Sequence, residues 1–372
     1  MLFSEVVGQE RLKKRLIQSV KDGRIPHAQM FLGPEGSGNL ALALAYAQYI
    51  SCPHRTETDS CGTCPSCKKH KQLQFPDLHY SFPIFNKQSE RSECNEFVGD
   101  WRKALAKSPY MDATAWRDNL VSDKKQLIIP VKEASSIIRK LSLTAYEGGY
   151  KFLLMWMPEM MNINAANRLL KILEEPPDKT IFLLVANSQE NIIGTILSRT
   201  QIIKIPKLSD DEIRSALISR LGVTSPHKVE TITNLSNGNY WSAILGTQTQ
   251  SDEHFHSFVG FMRMAYTYDM TGLIGLANSL HTSGRENMKQ FLEYGLHMLR
   301  QCILGNYTGD QVVRLTDDEK SFSSKFSPFI NERNIVAFTH SFEEAHSDIT
   351  RNGYGKLILF DLSIQVAQLL RQ

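Results

Sequence analysis

Residues 30–40, MFLGPEGSGNL, have the outline of a phosphate-binding loop but lack the two side chains that do phosphate chemistry. Such a loop reads G-x-x-x-x-G-K-[ST]; its lysine brings charge to the β- and γ-phosphates and its hydroxyl ligates Mg²⁺. Gly33 and Gly38 keep the separation, with Gly36 between them, but Asn39 and Leu40 follow. Asn39 carries no charge and Leu40 offers no oxygen. The backbone can still turn from strand to helix and aim amides at an anion, yet hydrolysis of ATP here is not expected. A second position agrees. Phe152–Met155 reads as a buried strand, and at the end of such a strand a P-loop hydrolase places an Asp that holds Mg²⁺. Trp156 and Met157 stand there instead, and Glu159, beyond Pro158, is expected to point elsewhere.

Cys52, Cys61, Cys64 and Cys67 follow the spacing C-x8-C-x2-C-x2-C, which takes four of the six cysteines into one short stretch. Thiolates are soft ligands that suit Zn²⁺, and a C-x2-C step lets one turn of chain bring two sulfurs to one ion. Gly62, Pro65 and Ser66 supply the turns. The expectation is a structural zinc module, because four protein ligands leave no open position. Free or redox-active thiols are the alternative, and His54 or His70 could replace a cysteine. Cys94 and Cys302 stand alone and read as ordinary thiols.

The elements that must hold these residues follow from periodicity. Residues 4–23 read as a helix after a short lead-in, closed by Gly23. A strand follows at 29–32, then the loop and its helix to about Ile50. A strand falls within 75–84, and the charged stretch from Asn86 to Lys125, with Trp101, Tyr110 and Trp116, reads as an inserted helical segment. Then come a helix over 128–143, the strand at 152–155, a helix over 164–177 stopped by two prolines, a strand over 180–188, and a helix, turn and strand over 192–205. From Pro206 the pattern is almost wholly helical: 208–221 with Ser209 as its cap, short helices within 226–245, and long amphipathic helices within 253–304, 314–345 and 353–371.

The totals leave room for two or three domains in 372 residues, at 42% hydrophobic and 22% charged content, as in ordinary globular chains. A net charge of +3 is too small to argue for nucleic acid or membrane. No uncharged apolar run approaches the roughly 18 residues of a membrane helix, and charges interrupt the N-terminus where a signal peptide has its apolar core. A cytoplasmic protein with no membrane partner is expected.

IIGTILSRTQIIKI (192–205) places Ser198 and Arg199 in a turn between a helix and a strand. An arginine in a turn is most often a solvated surface charge. The functional alternative is an arginine finger that reaches into a neighbour's nucleotide site.

Three features together go further: VGQE (7–10) before PHAQMFLGPEGSG (26–38), the cysteines directly after the loop helix, and NAANRLLKILEEPP followed by SRT. Over residues 1 to about 245 the chain resembles the bacterial clamp-loader AAA+ family of DNA polymerase III, most closely its delta-prime members. The resemblance implies an α/β P-loop NTPase (AAA+, RecA-like) domain over 1–205, carrying the zinc module at 52–67 and the insertion at about 86–125. It also implies a small helical lid at 206–250 and an all-α collar, the oligomerisation domain, at 251–372. The implied assembly is a heteropentamer with gamma/tau and delta subunits that loads a sliding clamp onto primed DNA. Delta-prime members keep a damaged nucleotide site and a Ser-Arg-Cys motif. Ser198 and Arg199 match that motif, with Thr200 in place of its Cys, so the resemblance makes Arg199 a finger acting in trans. Trp241 falls near the sensor arginine of hydrolysing relatives. Two other readings compete: an active gamma/tau-type ATPase, and a DNA-binding protein built on the zinc module.

Overall fold

A computed structural model describes residues 1–85, 93–120, 127–248, 251–308, 315–351 and 353–371. They form two compact units, Met1–Ile213 with Gly238–Trp241, and Arg214–Asn237 with Ser242–Gln372.

The first unit is built on short strands, two of which, Lys151–Trp156 and Thr180–Ala186, are buried along their whole length, which requires a covering layer on each side. Its strands are β1 (Ala28–Leu32), β2 (Leu78–Ser81), β3 (Ile84–Phe85), β4 (Leu127–Ile128), β5 (Lys151–Trp156), β6 (Thr180–Ala186) and β7 (Gln201–Lys204). Five of them make a parallel sheet in the order β2-β5-β6-β1-β7. Register is fixed by pairs such as Met30 with Leu184 and Leu153 with Phe182. Because side chains alternate along a strand, Met30, Leu153, Met155, Phe182 and Leu184 point to one face. There they pack on α6 (Val131–Ser142) and α7 (Ile163–Glu174) through Ile137, Leu141, Leu169 and Leu173. On the other face Phe31 meets Tyr46 of the loop helix at 6.2 Å between ring centroids.

That loop helix (Asn39–Ser51) is buried from Asn39 to Ile50. Its alternation of alanines with larger apolar residues suits a helix covered all round. The helix before β1 runs over Glu10–Lys21 and not from residue 4. Gly8 and Gln9 both take left-handed backbone (φ 56° and 60°), which no continuing helix accommodates, so Phe3–Glu5 forms a separate 3₁₀ turn.

The inserted segment has a neck. β3 and β4 pair antiparallel, Ile84 with Ile128 and Phe85 with Leu127, and the stretch between them carries helices Val98–Lys107 and Ala113–Asn119. Residues 86–92 and 121–126 lie outside the described residues. The segment's tryptophans are not scattered over a surface. Trp101 and Trp116 are fully buried. Trp101 stacks on Phe82 at 4.5 Å and meets Trp116 edge-on at 5.2 Å, while the Trp116 Nε1–H donates to Pro83 O at 2.7 Å.

The second unit is helical throughout its described residues. The run expected over 253–304 divides into Ser251–Thr267, Met270–Thr282 and Arg285–Thr308. The first break falls at Tyr268 (φ 61°), where the Asp269 side chain caps the next helix by accepting from Gly272 N at 3.0 Å. These helices pack with Ile335–Thr350 and Gly355–Leu369 around Phe258, Phe291, Phe338, Phe342 and Leu359. Thr316 and Glu319 form a reciprocal cap on Asp317–Phe326, and Glu319 also accepts from Tyr294 Oη at 2.6 Å. No helix among the described residues is long and apolar enough to cross a membrane.

Emptying a buried indole site leaves a cavity that its neighbours fill only in part, and large-to-small core changes of this kind cost about 3–5 kcal/mol. Trp101→Ala is therefore expected to lower the urea-unfolding free energy of the first unit by that amount, followed by the fluorescence of the remaining tryptophans.

Candidate functional site

The glycine loop lies between β1 and the loop helix, at the C-terminal edge of the sheet, where open parallel sheets bind ligands. Gly36 and Gly38 take φ 70° and 96°, which side-chain-bearing residues seldom adopt. Gly36 also has no room for a side chain, because a Cβ there would stand 1.8 Å from Asn239 Oδ1. The two replaced positions are both turned to structural use. Asn39 is buried, and its Nδ2 donates to Gly33 O at 2.5 Å and reaches Ala186 O at 3.4 Å. Its Oδ1 lies 2.8 Å from the Ser37 hydroxyl. The carboxamide thus ties the loop to itself and to the end of β6, and no part of it is left to carry charge outward. Leu40 is buried in the core of the unit.

Trp156, at the end of β5, is 3% exposed and meets Trp101 of the insertion at 5.2 Å. Met157 beside it is also buried. Glu159 does not point away, contrary to the expectation from Pro158. Met157 is left-handed (φ 57°) and leads into a 3₁₀ turn, Pro158–Met160. This brings Glu159 Oε1 within 2.9 Å of the Asn187 N–H at the end of β6, and Asn187 Nδ2 in turn donates to Glu35 Oε1 at 3.3 Å. Burial pushes the Glu159 carboxyl up to about 6, and the backbone N–H groups that it accepts offset this only in part. Two carboxylates bracketing Asn187 beside the loop work against phosphate binding by charge.

Ser198 and Arg199 lie where the short helix Gly194–Leu197 meets β7. Ser198 is exposed, and its hydroxyl donates to Thr195 O at 3.1 Å. The Arg199 guanidinium pairs with Glu174 at the end of α7, through Nε at 2.6 Å and through Nη2, and donates from Nη1 to Thr195 O at 2.9 Å. About a third of the arginine side chain and nearly half of the glutamate remain exposed. A pair of that kind contributes about 0–1 kcal/mol, enough to orient the guanidinium and too little to trap it.

The cysteine spacing converges as expected. The sulfurs of Cys52, Cys61, Cys64 and Cys67 all lie within 4.8 Å of one another, with Cys52–Cys61, Cys61–Cys67 and Cys52–Cys64 at 3.6, 3.9 and 4.0 Å. A tetrahedral ion with metal–sulfur bonds of about 2.3 Å needs sulfurs about 3.8 Å apart, so the four can hold one metal ion. Cys64 starts the helix Pro65–Lys71, and the Cys67 N–H donates to its sulfur at 3.4 Å. The backbone N–H groups of Cys64 and Thr63 lower the Cys61 thiol to about 6, whereas burial pushes Cys52 and Cys67 up. A divalent cation is what would bring all four to thiolate. His54 and His70 are not among the converging ligands: His70 is buried and stacked on Phe75 at 4.2 Å, and burial holds it down at about 3.

Sequence reasoning missed four residues that the fold brings to this region: Tyr110 against Gly38, Trp101 against Trp156, Asn187 between two carboxylates, and Glu174 on Arg199. The acidic end of the LEEPP helix, next in the fold to the SRT turn, was the available signal for Glu174.

A parallel sheet with a glycine loop at its edge, followed by an all-helical region, defines an AAA+ type of P-loop protein. The particular family follows from comparison. The family model described as DNA polymerase III, delta subunit matches residues 8–209, more than half the chain, and the chain belongs to that family. The DNA polymerase III subunit delta' of Bacillus subtilis is 27% identical over 229 residues, 62% of this chain and 56% of that protein. The tau/gamma subunit of Haemophilus influenzae is 27% identical over 215 residues, 58% of this chain and 25% of that protein. A solved gamma subunit-related protein from Thermotoga maritima aligns over 98% of this chain and 100% of its own, at 13% identity and a TM-score of 0.43, too loose a likeness to argue from. The chain spans about half the length of the first of these curated relatives and about a quarter of the second.

Two outcomes are expected here. Elemental analysis of the purified chain should find about one divalent ion per chain, as a closed four-thiolate site holds, and Cys67→Ser should lose it and melt at lower temperature. Glu159 has its pKa raised on folding, so its ionised form opposes the fold above pH 6, and this opposition fades as pH falls from 6 towards 4.5. Glu159→Gln should therefore be more stable than wild type at pH 8 by roughly 1–2 kcal/mol, with the gap closing at pH 4.5 in urea titrations.

Proposed function

We propose that this chain is a non-hydrolysing clamp-loader subunit of a bacterial DNA polymerase III, of the delta-prime kind. It would stand in a heteropentamer with gamma/tau and delta subunits, help to load a sliding clamp onto primed DNA, and lend Arg199 to the ATP of the adjacent subunit. Residues 1–205 serve as its ATPase-like domain, 206–250 as the lid and 251–372 as the collar. Zn²⁺ in the four-cysteine site is structural.

The observation that carries this reading is the fate of the two replaced positions. A working site needs a mobile cation over the phosphates and an acid on Mg²⁺. Here Asn39 is consumed by loop carbonyls and Trp156 by the aromatic cluster. The trans role is supported by the setting of Arg199: a surface turn, a charge kept out of the core, and a weak partner in Glu174. An active gamma/tau-type ATPase is the second reading, favoured by the tau relatives, one of which, from Escherichia coli, is also 27% identical. The buried side chains at both motif positions weigh against it.

In a reconstituted complex, Arg199→Ala should leave assembly unchanged on gel filtration and lower the ATPase rate. A finger contributes about 10³ or more where one site is assayed, and on the order of tenfold is expected where several sites turn over. Full-speed ATPase and clamp loading by the variant complex would contradict the assignment.

A further inference from the structure

The inserted segment has no part in the function just described, yet it reaches both disabled motifs. We propose that the insertion is the pocket's own occupant: the Tyr110 ring fills the space over the glycine loop that a nucleoside ring would need, so the chain excludes nucleotide by holding a built-in ligand.

Tyr110 is 5% exposed. A Cβ built on Gly38 would stand 3.4 Å from its Cε1 and 3.8 Å from its hydroxyl, so the ring rests directly on the start of the loop helix. Its hydroxyl accepts the Val7 N–H at 2.8 Å. Tyr240 closes the far side, edge-on at 4.8 Å and 78°, and is itself fixed by its N–H donating to Gly36 O at 3.1 Å. Three separate stretches of the first unit, at Val6-Val7, the loop, and Asn239-Tyr240, thus close around one flat ring that offers an acceptor to a backbone N–H. A buried phenol needs such a partner, and a nucleobase would present the same combination of flat face and edge acceptor.

The tyrosine is presented firmly. It lies in the turn between the two inserted helices, where the Ser108 hydroxyl accepts the Tyr110 N–H at 3.2 Å and Asp112 caps the second helix by accepting from Ala115 N at 2.7 Å. The first inserted helix places Trp101 on Trp156, so the same inserted segment meets both the loop and the strand end that would carry the magnesium acids. An occupant on the same chain competes at a millimolar or higher effective concentration. A loop without its lysine has little with which to displace it.

The inference rests on reading the loop as a disused phosphate loop, and not on the trans role of Arg199. The test uses the full chain, with ADP as the probe in calorimetric titration and with hydrogen exchange at the Val7 amide. Wild type should show no saturable ADP binding up to millimolar concentration. Tyr110→Ala, checked for a wild-type circular-dichroism spectrum, should bind ADP at least about tenfold more tightly than wild type, a difference of about 1.4 kcal/mol. Tyr110→Phe keeps the ring and loses the acceptor, and should still exclude ADP while the Val7 amide exchanges about tenfold faster, the worth of one hydrogen bond. Equal ADP affinity in wild type and Tyr110→Ala, no gain in a folded Tyr110→Ala, or unchanged Val7 exchange in Tyr110→Phe would each overturn the proposal. If Tyr110→Ala does not fold, the Tyr110→Phe arm decides. ADP binding by wild type without ATP hydrolysis would sink the occupant and leave the clamp-loader reading standing, whereas hydrolysis by the isolated wild-type chain would sink that reading.

Discussion

A carboxamide stands where an ammonium would have to stand, and it is bonded inward. Asn39 spans from Gly33 O towards Ala186 O, joining the glycine loop to the neighbouring strand. A lysine there would carry its charge on a flexible stem out to a phosphate. A short neutral amide instead satisfies the buried Gly33 carbonyl of the tight turn, and leaving such a group unpaired costs about 1–3 kcal/mol. The loop is held in shape by internal hydrogen bonds from the Asn39 carboxamide. With Asn39 set this way, the loop can be closed over without stranding a charge, and Gly36 to Leu40 are buried.

The same exchange of chemistry for packing is found at the strand end. Trp156 is held in a cluster with Phe82, Trp101 and Trp116 that no carboxylate could enter without heavy desolvation. Among the described residues, the four cysteines that could hold a metal ion lie in the turns just after the loop helix. Arg199 lies in a surface turn beside β7, oriented by a part-exposed ion pair with Glu174.

Much of this was legible in the residues. Each strand of the parallel sheet overlaps a stretch read as containing a strand. The two read as buried, at 152–155 and 180–188, became the fully buried β5 and β6, since parallel strands covered on both faces leave a strong signal. The cysteine spacing announced its own convergence because soft ligands at C-x2-C steps have few other uses in one short stretch. What the sequence hid were contacts between residues far apart in the chain. Nothing local to Tyr110 says that it rests on Gly38, and Trp101 reads as one more aromatic in a charged segment until β3 and β4 close the neck. Glu159 was misplaced because a proline suggests departure from the sheet, whereas a left-handed Met157 turned the chain back. The start of the first helix was misplaced for a similar reason, as backbone sign at Gly8-Gln9 does not show in hydrophobic periodicity.

The central claim is that this P-loop no longer performs phosphoryl chemistry on its own account. Single-turnover hydrolysis of labelled ATP by the isolated, metal-replete chain with Mg²⁺ addresses it most directly. The account predicts phosphate release indistinguishable from the buffer rate. Release above that rate, abolished by Gly38→Val and unaffected by Arg199→Ala, would contradict it.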